Sequence, residues 1–167
     1  MVVPIVVRTF TSILLSSPAR TIPVLCDAFQ VTATLHTWTL VNDLVDCLTA
    51  HRVCLVPYDS DANHEPCCKQ GHRAHWLLAH GFLKETNSSD DHRNDLVLVQ
   101  HGKSKLLAAF SLVDLFQSNG QLNEADPKRR DPADYRLAND GSLRDSLSSL
   151  FISIDAMPDS TPVTSAD

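Results

Sequence analysis

The chain has 167 residues, of which 43% are hydrophobic and 20% are charged. This length and composition suit one globular domain of ordinary size. The formal net charge of -6 argues against a nucleic-acid partner, because binding to phosphates requires clustered lysine and arginine side chains. A transmembrane helix needs about 20 consecutive apolar residues, and no run approaches that length. We therefore expect neither a nucleic-acid partner nor a membrane partner.

The two ends of the chain differ in pattern from its centre. Prolines interrupt residues 1–25, which show no hydrophobic periodicity. Residues 156–167 are polar with two prolines, so we expect a disordered tail. The folded part is predicted to cover residues 26–155.

The five cysteines are odd in number, and Cys67 is adjacent to Cys68, which is a poor geometry for an ordinary disulfide. Reduced thiols in the cytoplasm are the simpler interpretation.

Hydrophobic periodicity predicts three elements in the first half of the folded part. Alternating apolar and polar residues indicate a strand over 29–37. A helical stripe covers 39–51, with Thr39 as its cap. The apolar run 53–56 is typical of a buried strand, and we expect Pro57 to end it.

The second half adds mostly strands. We expect a strand over 74–82, a hairpin of 96–100 and 105–110 that turns near Gly102, and a last strand over 147–154. A helix should begin at Leu112 and end near Asn119-Gly120. The predicted class is therefore α+β, with an antiparallel sheet carrying His75 and the 39–51 helix packed against it.

The segment 58–76 concentrates the ionisable side chains of the chain. It holds three histidines, two cysteines and three carboxylates, and it leads into an apolar strand. Three interpretations are open at this point: a general base for a thiol nucleophile, a metal site, or a solvated loop.

His75 is the candidate base. It stands at the start of an apolar strand, and a rigid, buried strand fixes the position of an imidazole at its edge. With an ordinary pKa near ~6.5, the ring can hold or release a proton at cellular pH.

The metal interpretation requires four ligands in a tetrahedral arrangement. The spacing does not match the common zinc frames, because there is no Cys-x-x-Cys pair. His72 and His75 would also point to opposite faces if both were in the strand. The candidate ligands are His64, Cys67, Cys68, His72 and His75.

Several blocks of the chain resemble the actin maturation protease family. They are Asn63-His64-Glu65-Pro66-Cys67, Gly71-His72-Arg73-Ala74-His75-Trp76, Gln100-His101-Gly102-Lys103-Ser104 and Ser118-Asn119-Gly120-Gln121-Leu122. With the segments around them, the resemblance covers about two-thirds of the chain.

The resemblance implies the sheet half of a papain-like cysteine peptidase with one or two packed helices and no cofactor. Members of the family remove the acetylated N-terminal Met or Cys of immature actin, so the implied partner is the actin N-terminus. His75 matches the base of the family. Asp114 or Asn119 would orient it.

The resemblance also includes Pro57-Tyr58-Asp59, and other residues of the matching blocks are candidates for contact with the substrate. They are Asp59, His64, Glu65, His72 and Trp76.

The family's nucleophile lies in a Gly-x-x-Cys-Gly-Leu motif before a helix, and no cysteine here has that context. Cys26 has no glycine neighbours, Cys47 is in the predicted helix, and Cys54 is in a strand. Cys67 does not open a helix that would depress its pKa. We therefore expect a truncated and inactive form of the protease. The alternatives are a non-enzymatic actin-binding module and a structural zinc-binding domain.

Overall fold

A six-stranded antiparallel sheet organises the part of the chain that the computed structural model describes, namely Ile22, Cys26 and residues 31–85, 92–128 and 142–155. The spatial order of the strands is β1-β6-β2-β3-β4-β5. They are β1 Ala33–Thr37, β2 Val53–Asp59, β3 Ala74–Leu83, β4 Leu96–His101, β5 Ala108–Ser111 and β6 Leu150–Ile154. The helices α1 Asn42–Thr49, α2 Leu112–Gly120 and α3 Arg144–Leu147 connect them. The predicted α+β class with an antiparallel sheet is confirmed.

The first predicted helix is shorter than its sequence pattern indicated, and it is capped differently. α1 begins at Asn42, so Leu40 lies outside it with 66% of its surface exposed. The carboxylate of Asp43 accepts hydrogen bonds from the backbone N–H groups of Thr39 and Leu40, both at 2.8 Å. A first-turn carboxylate that satisfies free N–H groups stabilises a helix start. Asp43 therefore takes the role that we predicted for Thr39.

Pro57 does not end the second strand, so this prediction was wrong. β2 continues to Asp59 and pairs with β3 along its length. Its pairing with β6 stops at Leu55, so no neighbouring strand requires the missing N–H of Pro57 on that side. The Pro57 carbonyl instead accepts a hydrogen bond from Asn119 Nδ2 at 2.9 Å.

The central predictions are confirmed with small shifts. β3 extends one residue beyond the predicted strand and ends at Leu83. β4 and β5 form the predicted hairpin, although β5 begins at Ala108. α2 begins at Leu112 and ends at Gly120, as expected from the Asn-Gly pair.

The outer strands are shorter than predicted. β1 begins at Ala33, and the predicted start at residue 29 lies outside the described residues. β6 begins at Leu150, because Leu147 belongs to α3. Apart from Ile22, the predicted N-terminal segment and the predicted tail also lie outside the described residues.

The sheet separates two apolar clusters, which define its two faces. The α1 face carries α1 and α2, and its buried residues include Leu44, Val56, Tyr58, Leu77 and Leu112. The α3 face is covered by α3, and its buried residues include Leu55, Trp76, Leu78, Leu122 and Leu147. Because successive strand residues alternate between faces, His75 shares the α1 face with Leu77.

Candidate functional site

The loop between β2 and β3, residues 60–73, is built around the buried carboxylate of Asp59, which is 0% exposed. This carboxylate accepts hydrogen bonds from the backbone N–H groups of Lys69 at 2.7 Å, Gly71 at 2.9 Å and Arg73 at 3.0 Å. The side-chain amide of Gln121 donates to it at 3.3 Å. The geometry gives Asp59 an architectural role, so we do not retain it as a residue that contacts substrate.

Gly71 lets the loop pass close to two other segments. Its φ of +97° is strained for any residue with a side chain. A Cβ there would lie 3.0 Å from Leu143 Cδ1 and 3.1 Å from the Glu124 carbonyl oxygen. The glycine is therefore required by both conformation and space.

The first half of the loop is held by side chains from within it and from β2. Oδ1 of Asp61 accepts hydrogen bonds from the N–H groups of Asn63 at 2.7 Å and Glu65 at 2.9 Å. The hydroxyl of Tyr58 donates to the carbonyl of His64 at 3.0 Å. His64 has a left-handed backbone with a φ of +68°. These contacts fix the backbone at His64, from which the ring projects.

His75 is the second residue of β3, and its register partner on β2 is Tyr58. It is half-buried at the end of the sheet from which the 60–73 loop emerges. The His64 ring lies edge-on to the His75 ring, with 6.4 Å between their centroids. The structure thus brings together two of the residues that we proposed for the site.

His101, the last residue of β4, joins these two histidines, and the sequence analysis missed it. Its ring lies 5.5 Å from that of His64 and stacks on Phe110 with an interplanar angle of 16°. It is 6% exposed. Burial, followed by the proximity of His64, lowers the pKa of His101 below its ordinary value. We call His64, His75 and His101 the histidine row.

The two candidate orienters of His75 interact with other groups of the protein. Nδ2 of Asn119 donates to the carbonyls of Pro57 at 2.9 Å and Leu150 at 3.0 Å, so the residue ties β2 to β6. Asp114 is exposed in the first turn of α2, where its charge acts on the Cys68 thiol. The role of either residue in orienting His75 remains a proposal.

The remaining candidates for substrate contact occupy different surroundings. Glu65 is exposed in the loop. Nε2 of His72 lies 2.9 Å from the Glu124 carboxylate at the surface. Trp76 is 3% exposed and packs in the α3-face cluster, on the side of the sheet opposite His75. Trp76 therefore belongs to the core, and we do not retain it in the site.

The five cysteines are free thiols. Burial raises the pKa of Cys47 and Cys54. Desolvation, followed by the nearby Asp59 carboxylate, raises the pKa of Cys67 and of Cys68, and Asp114 raises that of Cys68 further. A catalytic thiol requires the opposite shift, so these four have the electrostatics of non-catalytic cysteines.

Within the described ranges, no group of three or more His, Cys, Asp or Glu side chains is arranged to hold a metal ion. The zinc alternative therefore gains no support from the fold. No helix among the described residues is long and apolar enough to span a membrane.

Comparison with known proteins connects this geometry to a family. Residues 19–83, which include β1, α1, β2 and the whole of β3, match the family model described as actin maturation protease-like, C-terminal domain. The chain is 43% identical over 102 residues to the actin maturation protease of Drosophila melanogaster, covering 61% of this chain and 36% of the relative.

Two vertebrate relatives extend the comparison. The actin maturation protease of Danio rerio is 32% identical over 122 residues, covering 56% of this chain and 40% of the relative. The actin maturation protease of Xenopus tropicalis is 31% identical over 123 residues, covering 60% of this chain and 41% of the relative. The chain thus spans about two fifths of the length of these relatives. With the matched C-terminal domain, these similarities relate the chain to the actin maturation protease family.

Proposed function

We propose that the chain is the base-carrying part of a cysteine aminopeptidase that removes the acetylated N-terminal Met or Cys of immature actin. The observation that carries this proposal is the placement of His75. It is half-buried at the start of a central strand, beside a loop that several backbone hydrogen bonds hold in place. A base held in this way has a fixed position relative to a bound peptide.

The proposed reaction follows the thiol-imidazole pattern of a papain-like peptidase. His75 accepts the proton of a cysteine thiol as the sulfur attacks the scissile carbonyl carbon. The imidazolium then donates that proton to the leaving amine, and water hydrolyses the thioester that remains. The proposed partner is the actin N-terminus, and the proposed compartment is the cytoplasm.

We propose that the nucleophile belongs to a region of the relatives' sequence that this chain does not span. Four cysteines of the chain have raised thiol pKa values, which disfavour the thiolate. The chain covers only 36–41% of the length of its relatives. Loss of a nucleophile lowers turnover by several orders of magnitude, so the chain alone should not cleave.

Within the proposed site, His64 and Glu65 remain candidates for substrate contact. Both belong to the part of the 60–73 loop that Asp61 holds, and His64 is adjacent to His75. His72 lies further along the same loop and is paired with Glu124, so its contact with substrate would require that pair to open.

A complementation assay tests the proposal. The chain is incubated with an acetylated actin N-terminal peptide, alone and with the remaining part of the Drosophila relative, and cleavage is read by mass spectrometry. We expect cleavage only in the mixture, and none when the chain carries His75→Ala. The matched control is His80→Ala, because His80 is an exposed histidine on the same strand. Cleavage that persists in His75→Ala would exclude His75 as the base.

A non-enzymatic actin-binding module is the second candidate, and the raised thiol pKa values favour it. Isothermal titration calorimetry with the same peptide separates the two. Binding to the chain, together with failure of the mixture to cleave, supports the module. Absence of binding to the chain excludes it.

A further inference from the structure

We propose that His64 and His101 are positioning residues for His75, holding its ring through a continuous row of ring contacts. This inference rests on the proposed function, in which His75 is the base. It assigns to two further histidines the orienting role that the sequence analysis gave to Asp114 or Asn119.

These side chains form a circuit on the α1 face, which is completed at His75 by its strand register with Tyr58. Phe110 stacks on His101 at 6.2 Å, His101 lies 5.5 Å from His64, and His64 lies 6.4 Å from His75. Tyr58 is the register partner of His75 and returns to Phe110 at 6.1 Å. The members come from β2, β3, β4, β5 and the 60–73 loop, so movement of one ring displaces its neighbours.

Two atoms in this circuit have no evident structural role. Nδ1 of His64 and Nδ1 of His101 are buried and have no hydrogen-bond partner among the described residues. Buried polar atoms are nearly always paired in folded proteins. An apolar ring at position 101 would fill the same space without an unpaired nitrogen, so packing alone does not account for the imidazole.

The charge of the row suits a base. Of the members of this circuit, His64 contacts the His75 ring, Tyr58 is its register partner, and His101 lies behind His64. None of these three side chains carries a negative charge near pH 7. A carboxylate beside an imidazole stabilises its protonated form, whereas another imidazole does not. The row therefore positions His75 without itself adding a negative charge beside the ring.

Nuclear magnetic resonance on the full chain tests the inference without a substrate. The titration and chemical shifts of the labelled His75 ring are compared among the wild type, His64→Asn and His101→Phe. Asparagine tolerates the left-handed backbone at position 64, and phenylalanine preserves the stack on Phe110. His80→Asn is the matched control on β3.

We expect the chemical shifts and the titration curve of the His75 ring to change in His64→Asn, because the ring that lies 6.4 Å from it is removed. In His101→Phe we expect the shifts of both His64 and His75 to change. His80→Asn should change neither. An unchanged His75 titration in both variants, with native amide spectra, would overturn the inference.

The second variant preserves the test if the first does not fold. If His64→Asn loses its native amide spectrum, His101→Phe alone tests the inference. Unchanged chemical shifts of His64 and His75 in that variant would refute the positioning role of the histidine row. This result is independent of the peptide assays. Failure of complementation would count against the proposed function and leave the ring measurements standing.

Discussion

Replacement of Asp59 by asparagine tests whether this buried carboxylate organises the 60–73 loop. In the wild type, Oδ2 accepts from Lys69, Gly71 and Gln121, while Oδ1 accepts from Arg73. Asparagine keeps one acceptor oxygen and places an NH₂ group at the other position. At least one backbone N–H then faces a donor, and the remaining bonds lose their charged acceptor.

The magnitude follows from the number of bonds. A hydrogen bond to a charged group contributes about 1.5–3 kcal/mol and a neutral one about 0.5–1.5 kcal/mol. Asp59→Asn removes one hydrogen bond to the carboxylate and leaves two other backbone N–H groups with a neutral acceptor. These losses of stability sum to about 4 kcal/mol. Because the bonds to Lys69 and Arg73 are only partly buried, water compensates some of this loss. We expect the free energy of unfolding to fall by about 2–4 kcal/mol, a large share of the ~5–15 kcal/mol of a typical domain.

Urea unfolding, followed by tryptophan fluorescence, measures this change, since Trp38 and Trp76 report on the two faces of the sheet. Asp61→Asn is the matched control in the same loop. Its Oδ1 accepts both backbone bonds, so asparagine retains that acceptor and we expect a loss below about 1 kcal/mol. Equal losses in the two variants would refute the architectural role of Asp59.

Three further predictions concern single titrating groups. Burial raises the pKa of Asp95, but the hydrogen bond from His92 at 2.7 Å and one backbone N–H outweigh it and hold the pKa below its ordinary 3.8. This stabilisation is present above about pH 4 and lost below it, so Asp95→Asn should melt lower than the wild type at pH 7 and approach it at pH 3. Because the pKa of His101 is lowered in the folded chain, this side chain binds a proton more readily in the unfolded chain below about pH 6.5, which favours unfolding. The urea midpoint should therefore fall less between pH 7 and pH 5 in His101→Phe than in the wild type, and an equal fall would contradict this assignment. Because Asp114 helps to raise the pKa of the Cys68 thiol, Asp114→Asn should label faster with iodoacetamide at Cys68, as read by peptide mass spectrometry, and an unchanged rate would rule out this coupling.

Most of the sheet could be predicted, because β4 alternates along its length and β2 begins with a continuous apolar run. β1 shows where the period fails. Alternation places Leu35 on the apolar face of the strand, yet it is 38% exposed, whereas His36 stacks on Phe151 at 4.8 Å and lies 2.8 Å from the Ser153 hydroxyl. β1 pairs only with β6 and lies at the edge of the sheet, so it has no neighbouring strand on its other side. An imidazole can pack its ring and still pair its nitrogen, which a simple polar assignment does not anticipate.

The candidate site could be predicted only in part. His75 was identified because a histidine at the start of an apolar strand is visible in the sequence. His101 was missed, although the alternation Val97, Val99, His101 places it on the same face as the strand's buried residues. The contact of Asp59 with Gln121 joins residues 62 positions apart, and local patterns carry no information about such pairs.

The two faces of the sheet constrain any nucleophile that His75 would serve. Trp76 and Leu78 point to the α3 face, which α3 and its cluster cover, so that side gives no access to the imidazole. On the α1 face, α1 packs against the middle of the sheet through Leu44. Among the described residues, the approach that remains is the end of β3 where the 60–73 loop emerges. A thiol supplied by the relatives' remaining sequence would therefore enter beside His64, at the histidine row.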